Sequence, residues 1–101
     1  MARIVVLGGG ESGCGSAVLA KVKGFDVFLS DRGAIAPKYR GQLEEWRGSY
    51  EEGRHTEELI VDADEVVKSP GIPESAPIVK ALRERGIPVV SEIEFAGRYT
   101  A

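Results

Sequence analysis

Gly8, Gly10 and Gly13 stand at the spacing G-x-G-x-x-G, directly after the apolar run Ile4-Val5-Val6-Leu7 and just before Ala17-Val18-Leu19-Ala20. Glycines so placed are suited to holding phosphate. The first permits a sharp turn, the second leaves no side chain between backbone and ligand, and the third lets a helix approach the strand closely. The N–H groups exposed at the helix start then face an anion. Asp31 follows roughly 20 residues further on, at the end of the next apolar run, where a carboxylate can meet a ribose or a base. A simple strand-end cap is its alternative role. A second loop, Ser69-Pro70-Gly71-Ile72-Pro73, is stiffened by two prolines and carries a glycine of its own.

Other reactive side chains are few. Cys14 is the sole cysteine, so no internal disulfide and no cysteine-based metal site can form. A helix N-terminus would lower its thiol pKa, but no base lies near it in sequence, and packing beside the turn is the expected role. His55, between Arg54 and Thr56, reads as a solvated loop residue. Glu44, Glu45, Glu51, Glu52, Glu57 and Glu58 read as a solvent-facing acidic half.

Strands and helices must alternate to position these groups. The pattern predicts strands over Arg3–Leu7, Asp26–Ser30, Ser49–Glu51 (a short edge strand), Asp64–Lys68 and Ile87–Val90. A helix is expected from about Cys14 to Lys23, with Val18 and Val22 on one face and Gly24 as its stop. Another runs from Pro37 to about Arg47, with Leu43 and Trp46 as core contacts. A short one spans Thr56 to Val61, capped by Thr56. Ser75 can cap a helix that has Pro77 in its first turn, places Ile78, Val79 and Leu82 inward and ends at Gly86. Glu92 to Tyr99 reads as one more helix, or as a connection onward. This alternation, with right-handed crossovers, gives a three-layer Rossmann-like α/β domain with a five-stranded parallel sheet of order 3-2-1-4-5. Ligands bind such sheets at the carboxyl ends of the strands, where the glycine turn, Asp31 and the Ser69 loop converge.

Length and charge narrow the function classes. At 101 residues the chain fits one core. With 43% hydrophobic and 29% charged residues it reads as globular. No apolar stretch is long enough to span a bilayer and no signal-peptide core precedes the first strand, so a cytoplasmic location is expected. A net charge of −3 without a basic stripe argues against nucleic-acid or membrane partners. Backbone N–H groups and a helix dipole can still hold a phosphate locally.

Taken together, Gly8-Gly9-Gly10-Glu11-Ser12-Gly13, Leu29-Ser30-Asp31, Lys68-Ser69-Pro70-Gly71-Ile72-Pro73 and Gly86-Ile87-Pro88-Val89-Val90-Ser91-Glu92-Ile93-Glu94 resemble the N-terminal domain of the Mur ligases, above all the D-glutamate-adding branch. The resemblance covers essentially the whole chain. It implies an ATP-dependent, amide-forming ligase of peptidoglycan synthesis that adds D-glutamate to UDP-N-acetylmuramoyl-L-alanine. Residues 1–93 would form the UDP-substrate-binding domain, and 94–101 would start the connection to a central ATP-binding domain. ATP and Mg would be bound by the central and C-terminal domains, since no G-x-x-x-x-G-K-[ST] and no metal-ligand set occur here, and the chain alone would be inert. By the same resemblance, Gly8, Gly10, Glu11, Ser12 and Gly13 meet the diphosphate through backbone N–H groups. Asp31 contacts the uracil with Arg32 beside it, and Ser69, Pro70 and Gly71 pack beside the nucleotide and sugar. Glu11 departs from the small or apolar residue expected and must point outward. An NAD(P)-binding domain of a dehydrogenase or redox sensor is the alternative, with Asp31 on the adenosine ribose.

Overall fold

The computed structural model describes residues 2–100; Met1 and Ala101, the outer limits of the two expected segments, lie outside them. The elements run β1 (Arg3–Leu7), α1 (Glu11–Val22), β2 (Asp26–Asp31), α2 (Pro37–Glu45), β3 (Ser49–Glu52), α3 (Glu57–Ile60), β4 (Glu65–Lys68), α4 (Pro77–Glu84), β5 (Val89–Ser91) and α5 (Glu92–Gly97). All four strand pairings are parallel, and the sheet order is β3-β2-β1-β4-β5, as the sequence pattern predicts.

Because strand side chains alternate between faces, β1 feeds two cores. Ile4 and Val6 join Val27, Leu29 and Val67 beneath Cys14, Ala17 and Ala20 of α1, Leu43 of α2 and Phe95 of α5. Val5 and Leu7 join Phe28 and Val66 beneath Ile60 of α3 and Ile78, Val79 and Leu82 of α4. With both faces covered, Ile4–Leu7 of β1, Val27–Ser30 of β2 and Val66–Val67 of β4 are buried, as a parallel sheet requires. Among the described residues no helix is long and apolar enough to cross a membrane.

Several local expectations are corrected. Helix α1 starts at Glu11, not Cys14, because the turn is complete at the N-cap Gly10 and Gly13 already belongs to the helix. Its inner face is built from small residues, Gly13, Cys14, Ser16, Ala17 and Ala20, which bring it close to the sheet. Val22 is consequently left exposed. Trp46 is exposed as well, because α2 stops at Glu45 and the chain reverses through Arg47, at φ 58°, while the Gly48 N–H bonds to the Leu43 carbonyl. β5 starts only at Val89, since Pro88 has no N–H to donate, although its carbonyl accepts from Val66. The N-cap of α4 is Ala76 rather than Ser75. Phe95 of α5 is fully buried against α1, and Ser91 and Glu94 close a reciprocal capping box at the start of α5.

Candidate functional site

The strand ends fix the site. Gly8 continues β1 into the turn with φ +108°, a conformation that side chains rarely adopt, while its N–H bonds to the Ser30 carbonyl at 2.9 Å. A Cβ on Gly8 would lie 2.7 Å from that of Ser69, so this glycine also lets the second loop close against the first. Gly10 is open, with nothing within 4 Å of the position a Cβ would take. At Gly13 a Cβ would meet the Gly8 carbonyl oxygen at 1.9 Å, which makes the third glycine the contact between helix and turn. No side chain caps α1, so its first N–H groups are left for another acceptor.

Asp31, at the end of β2, is held tightly. One carboxylate oxygen accepts the Gly9 N–H at 2.7 Å and the other accepts the Gly33 N–H at 2.8 Å. The aspartate therefore braces the glycine turn, and one turn donor is already taken. At the end of β4, Lys68 turns back to the Ile72 carbonyl at 2.7 Å, pinning the loop that Ser69 also ties through its carbonyl to the Ile72 N–H at 3.1 Å. Lys68 is thus a structural brace rather than a free cation beside the turn.

These strand ends enclose an open crevice of about 920 Å³, a size usual for small-molecule sites. Of the ten residues expected to contact a ligand, Gly8, Gly10, Asp31, Arg32, Ser69 and Gly71 line it together. Gly13 is buried beneath the turn, and Glu11 is exposed at the first position of α1. Ser12 and Pro70 instead line a second hollow, of about 440 Å³, with Glu92 and Ile93. Burial raises the Glu92 carboxyl above the ordinary glutamate range, and among the described residues it has no hydrogen-bond or ion-pair partner.

The crevice has one wall that no motif in the sequence marks. His55 lines it, half-buried, with Nδ1 2.7 Å from the Ser30 hydroxyl. Ser30 in turn lies 2.9 Å from Glu51, whose carboxylate also accepts the Thr56 N–H at 2.7 Å and the Thr56 hydroxyl at 2.5 Å. Burial pushes the Glu51 carboxyl up, but the bonds from Thr56 and Ser30 outweigh it and hold the group below the ordinary value. Glu51 is accordingly no surface charge, and Thr56 spends its hydroxyl on Glu51 instead of capping α3. Glu52 is likewise occupied, accepting the Ile35 N–H at 2.7 Å. The available signal was register: in the β2–β3 pair Ser30 stands opposite Glu51. Cys14 is fully buried and its thiol is pushed up by that burial, which removes it as a nucleophile.

Residues 2–91 match the family of Mur ligase MurD-like N-terminal domains. The chain is 67% identical over 100 residues to a UDP-N-acetylmuramoylalanine--D-glutamate ligase of Bacteroides fragilis, covering 99% of this chain and 22% of that protein. A protein of the same name from Porphyromonas gingivalis is 60% identical over 97 residues, covering 96% of this chain and again 22% of the relative. Among solved structures, a murein peptide ligase of Psychrobacter arcticus superposes with a TM-score of 0.88 at 24% identity, over 99% of this chain and 21% of that one. A UDP-N-acetylmuramate-alanine ligase of Thermotoga maritima gives 0.80 at 20% identity, over 95% of this chain and 22% of its own. The chain spans about a fifth of the length of these relatives.

Proposed function

Because the chain belongs to the MurD-like N-terminal domains of the Mur ligases, we propose that its crevice receives the uridine diphosphate end of UDP-N-acetylmuramoyl-L-alanine. The observation that carries this reading is the uncapped start of α1 behind an open Gly10, in a turn that shares one crevice with Asp31, Arg32, Ser69 and Gly71. N–H groups there suit a diphosphate. The exposed Arg32 and Arg54 on the same crevice add positive charge near it. Glu11 and Gly13 act through their backbones, and Ser12 and Pro70 bear on the neighbouring hollow.

Within the longer ligase, the reaction joins D-glutamate to the substrate's carboxyl group with ATP and Mg. Neither fits the residues of this chain: the sequence holds no G-x-x-x-x-G-K-[ST], and among the described residues no three His, Cys, Asp or Glu side chains gather as a metal site would need. Substrate activation is therefore the work of the remainder of the ligase, and this domain anchors the nucleotide. None of the relatives named above is a dehydrogenase, so the NAD(P) alternative finds no support.

An NMR titration tests the reading. UDP and UDP-N-acetylmuramoyl-L-alanine should shift the amides of Gly8 to Gly13, Asp31 and Ser69 to Gly71, whereas NAD should leave Asp31 and the Ser69 loop unmoved. Saturable NAD binding without a response to the uridine ligands would overturn it.

A further inference from the structure

Ser30 and Glu51 together decide which nitrogen of the His55 imidazole carries its hydrogen. The Ser30 hydroxyl has a single proton and three neighbours: a Glu51 oxygen at 2.9 Å, the Arg54 carbonyl at 3.2 Å and His55 Nδ1 at 2.7 Å. Glu51 is ionised and can only accept, and Ser30 is its third donor after the two from Thr56. A charged acceptor outcompetes a neutral one for that proton. With the Ser30 proton committed to Glu51, the short contact to His55 holds only if Nδ1 carries a hydrogen and donates it to Ser30 Oγ. Nε2 is then left with a bare lone pair, and it has no partner among the described residues although His55 lines the crevice.

We propose that His55 is a specificity-determining residue of this site, its Nε2 accepting a hydrogen bond from an N–H or O–H of the nucleoside part of the bound nucleotide. The inference rests on the proposed uridine-diphosphate reading and deepens it. It also answers a need the site itself creates. Each Asp31 oxygen already accepts a backbone N–H, one from Gly9 in the turn and one from Gly33 just after β2, so Asp31 alone is a partly spent acceptor. His55 supplies a fresh one on the same crevice.

The ring must be neutral for this. Burial holds His55 below its ordinary value of 6.5, against the opposing pull of Glu51 on β3 and Asp31 at the end of β2, while Arg32 reinforces the lowering. Arg54 and Glu57 complete the charged groups that share the crevice with the ring. Protonation would turn Nε2 into a donor and cancel the contact.

Three measurements on the whole chain test this. Two-bond proton–nitrogen correlation of the free protein at neutral pH should show the Nδ1–H tautomer; an Nε2–H tautomer would overturn the proposal. Calorimetry should then show His55→Asn, which keeps an amide near Ser30 but has nothing at the Nε2 position, binding UDP roughly five- to tenfold more weakly, about the worth of one hydrogen bond. Inorganic pyrophosphate should bind it unchanged, and His55→Gln, whose carbonyl reaches the Nε2 position, should recover much of the loss. Equal losses for UDP and pyrophosphate, or none for UDP, would overturn the inference. Finally, 3-methyl-UDP and the 2′- and 3′-deoxy analogues separate base from ribose. The analogue lacking the donor should bind wild type and His55→Asn alike, and a persisting difference with all three would place the donor outside the nucleoside and refute the proposal. Failure of UDP to bind the wild-type chain would overturn the uridine-diphosphate reading itself, whereas UDP binding indifferent to His55 would sink this inference alone.

Discussion

Replacing Asp31 by alanine should loosen the glycine turn and weaken nucleotide binding at once, in proportions the structure sets. The carboxylate accepts one part-buried N–H, from Gly9 at 2.7 Å, and one exposed N–H, from Gly33 at 2.8 Å. A hydrogen bond to a charged group contributes about 1.5–3 kcal/mol when sheltered. We assign the Gly9 bond the lower end of that range, about 1.5 kcal/mol, and the solvent-exposed Gly33 bond about 0.5 kcal/mol. The sum, about 2 kcal/mol, corresponds to a fall in Tm of about 8–16 °C for a domain of this size. Asp31→Asn, which keeps one acceptor oxygen, should lose about half as much. Binding should divide by ligand: Asp31→Ala weakens UDP, but it also frees the Gly9 N–H for an anion, so pyrophosphate loses less than UDP. Urea denaturation and calorimetry on the three proteins check both parts. An unchanged denaturation midpoint in Asp31→Ala would refute the bracing role, and equal losses for UDP and pyrophosphate would refute its contact with the nucleoside.

Two glycines of α1 should behave oppositely. Gly13→Ala places a Cβ 1.9 Å from the Gly8 carbonyl oxygen and should cost at least about 3 kcal/mol. Gly15→Ala meets nothing within 4 Å and should gain up to about 1 kcal/mol from helix propensity; like effects in thermal denaturation would discredit the close-packing role of Gly13. Acidification should remove stability in two steps. His55, lowered by burial, contributes stability that is present above 6.5 and is lost as pH falls through its folded value. Glu51, pushed up by burial but brought down further by Thr56 and Ser30, contributes stability that is present above 4.5 and lost below it. The first step should be absent from His55→Gln and the second from Glu51→Gln in urea titrations from pH 7 to pH 3; persistence of either step in its variant would contradict the assignment.

Local pattern alone was enough for the order of elements and for the parallel sheet. The run Ile4 to Leu7 can be buried on both faces only in a covered sheet, and each later strand is separated from the last by a helix-forming stretch. The turn at Gly8 and the close approach at Gly13 were legible too, because they follow from spacing between a strand and a helix. Side-chain destinations were less so. Trp46 and Val22 sat at apolar positions of plausible helix faces, yet a reversal at Arg47 and an inner α1 face of small residues put both in solvent. The wall of the crevice was decided by tertiary structure alone. Parallel pairing sets Ser30 of β2 opposite Glu51 of β3, and the following loop folds His55 onto both. A register slip of one residue would send these side chains to opposite faces. Nothing within a few residues of Glu51 or His55 encodes that meeting, because its energy comes from burial and hydrogen bonds between segments that only the assembled sheet brings together.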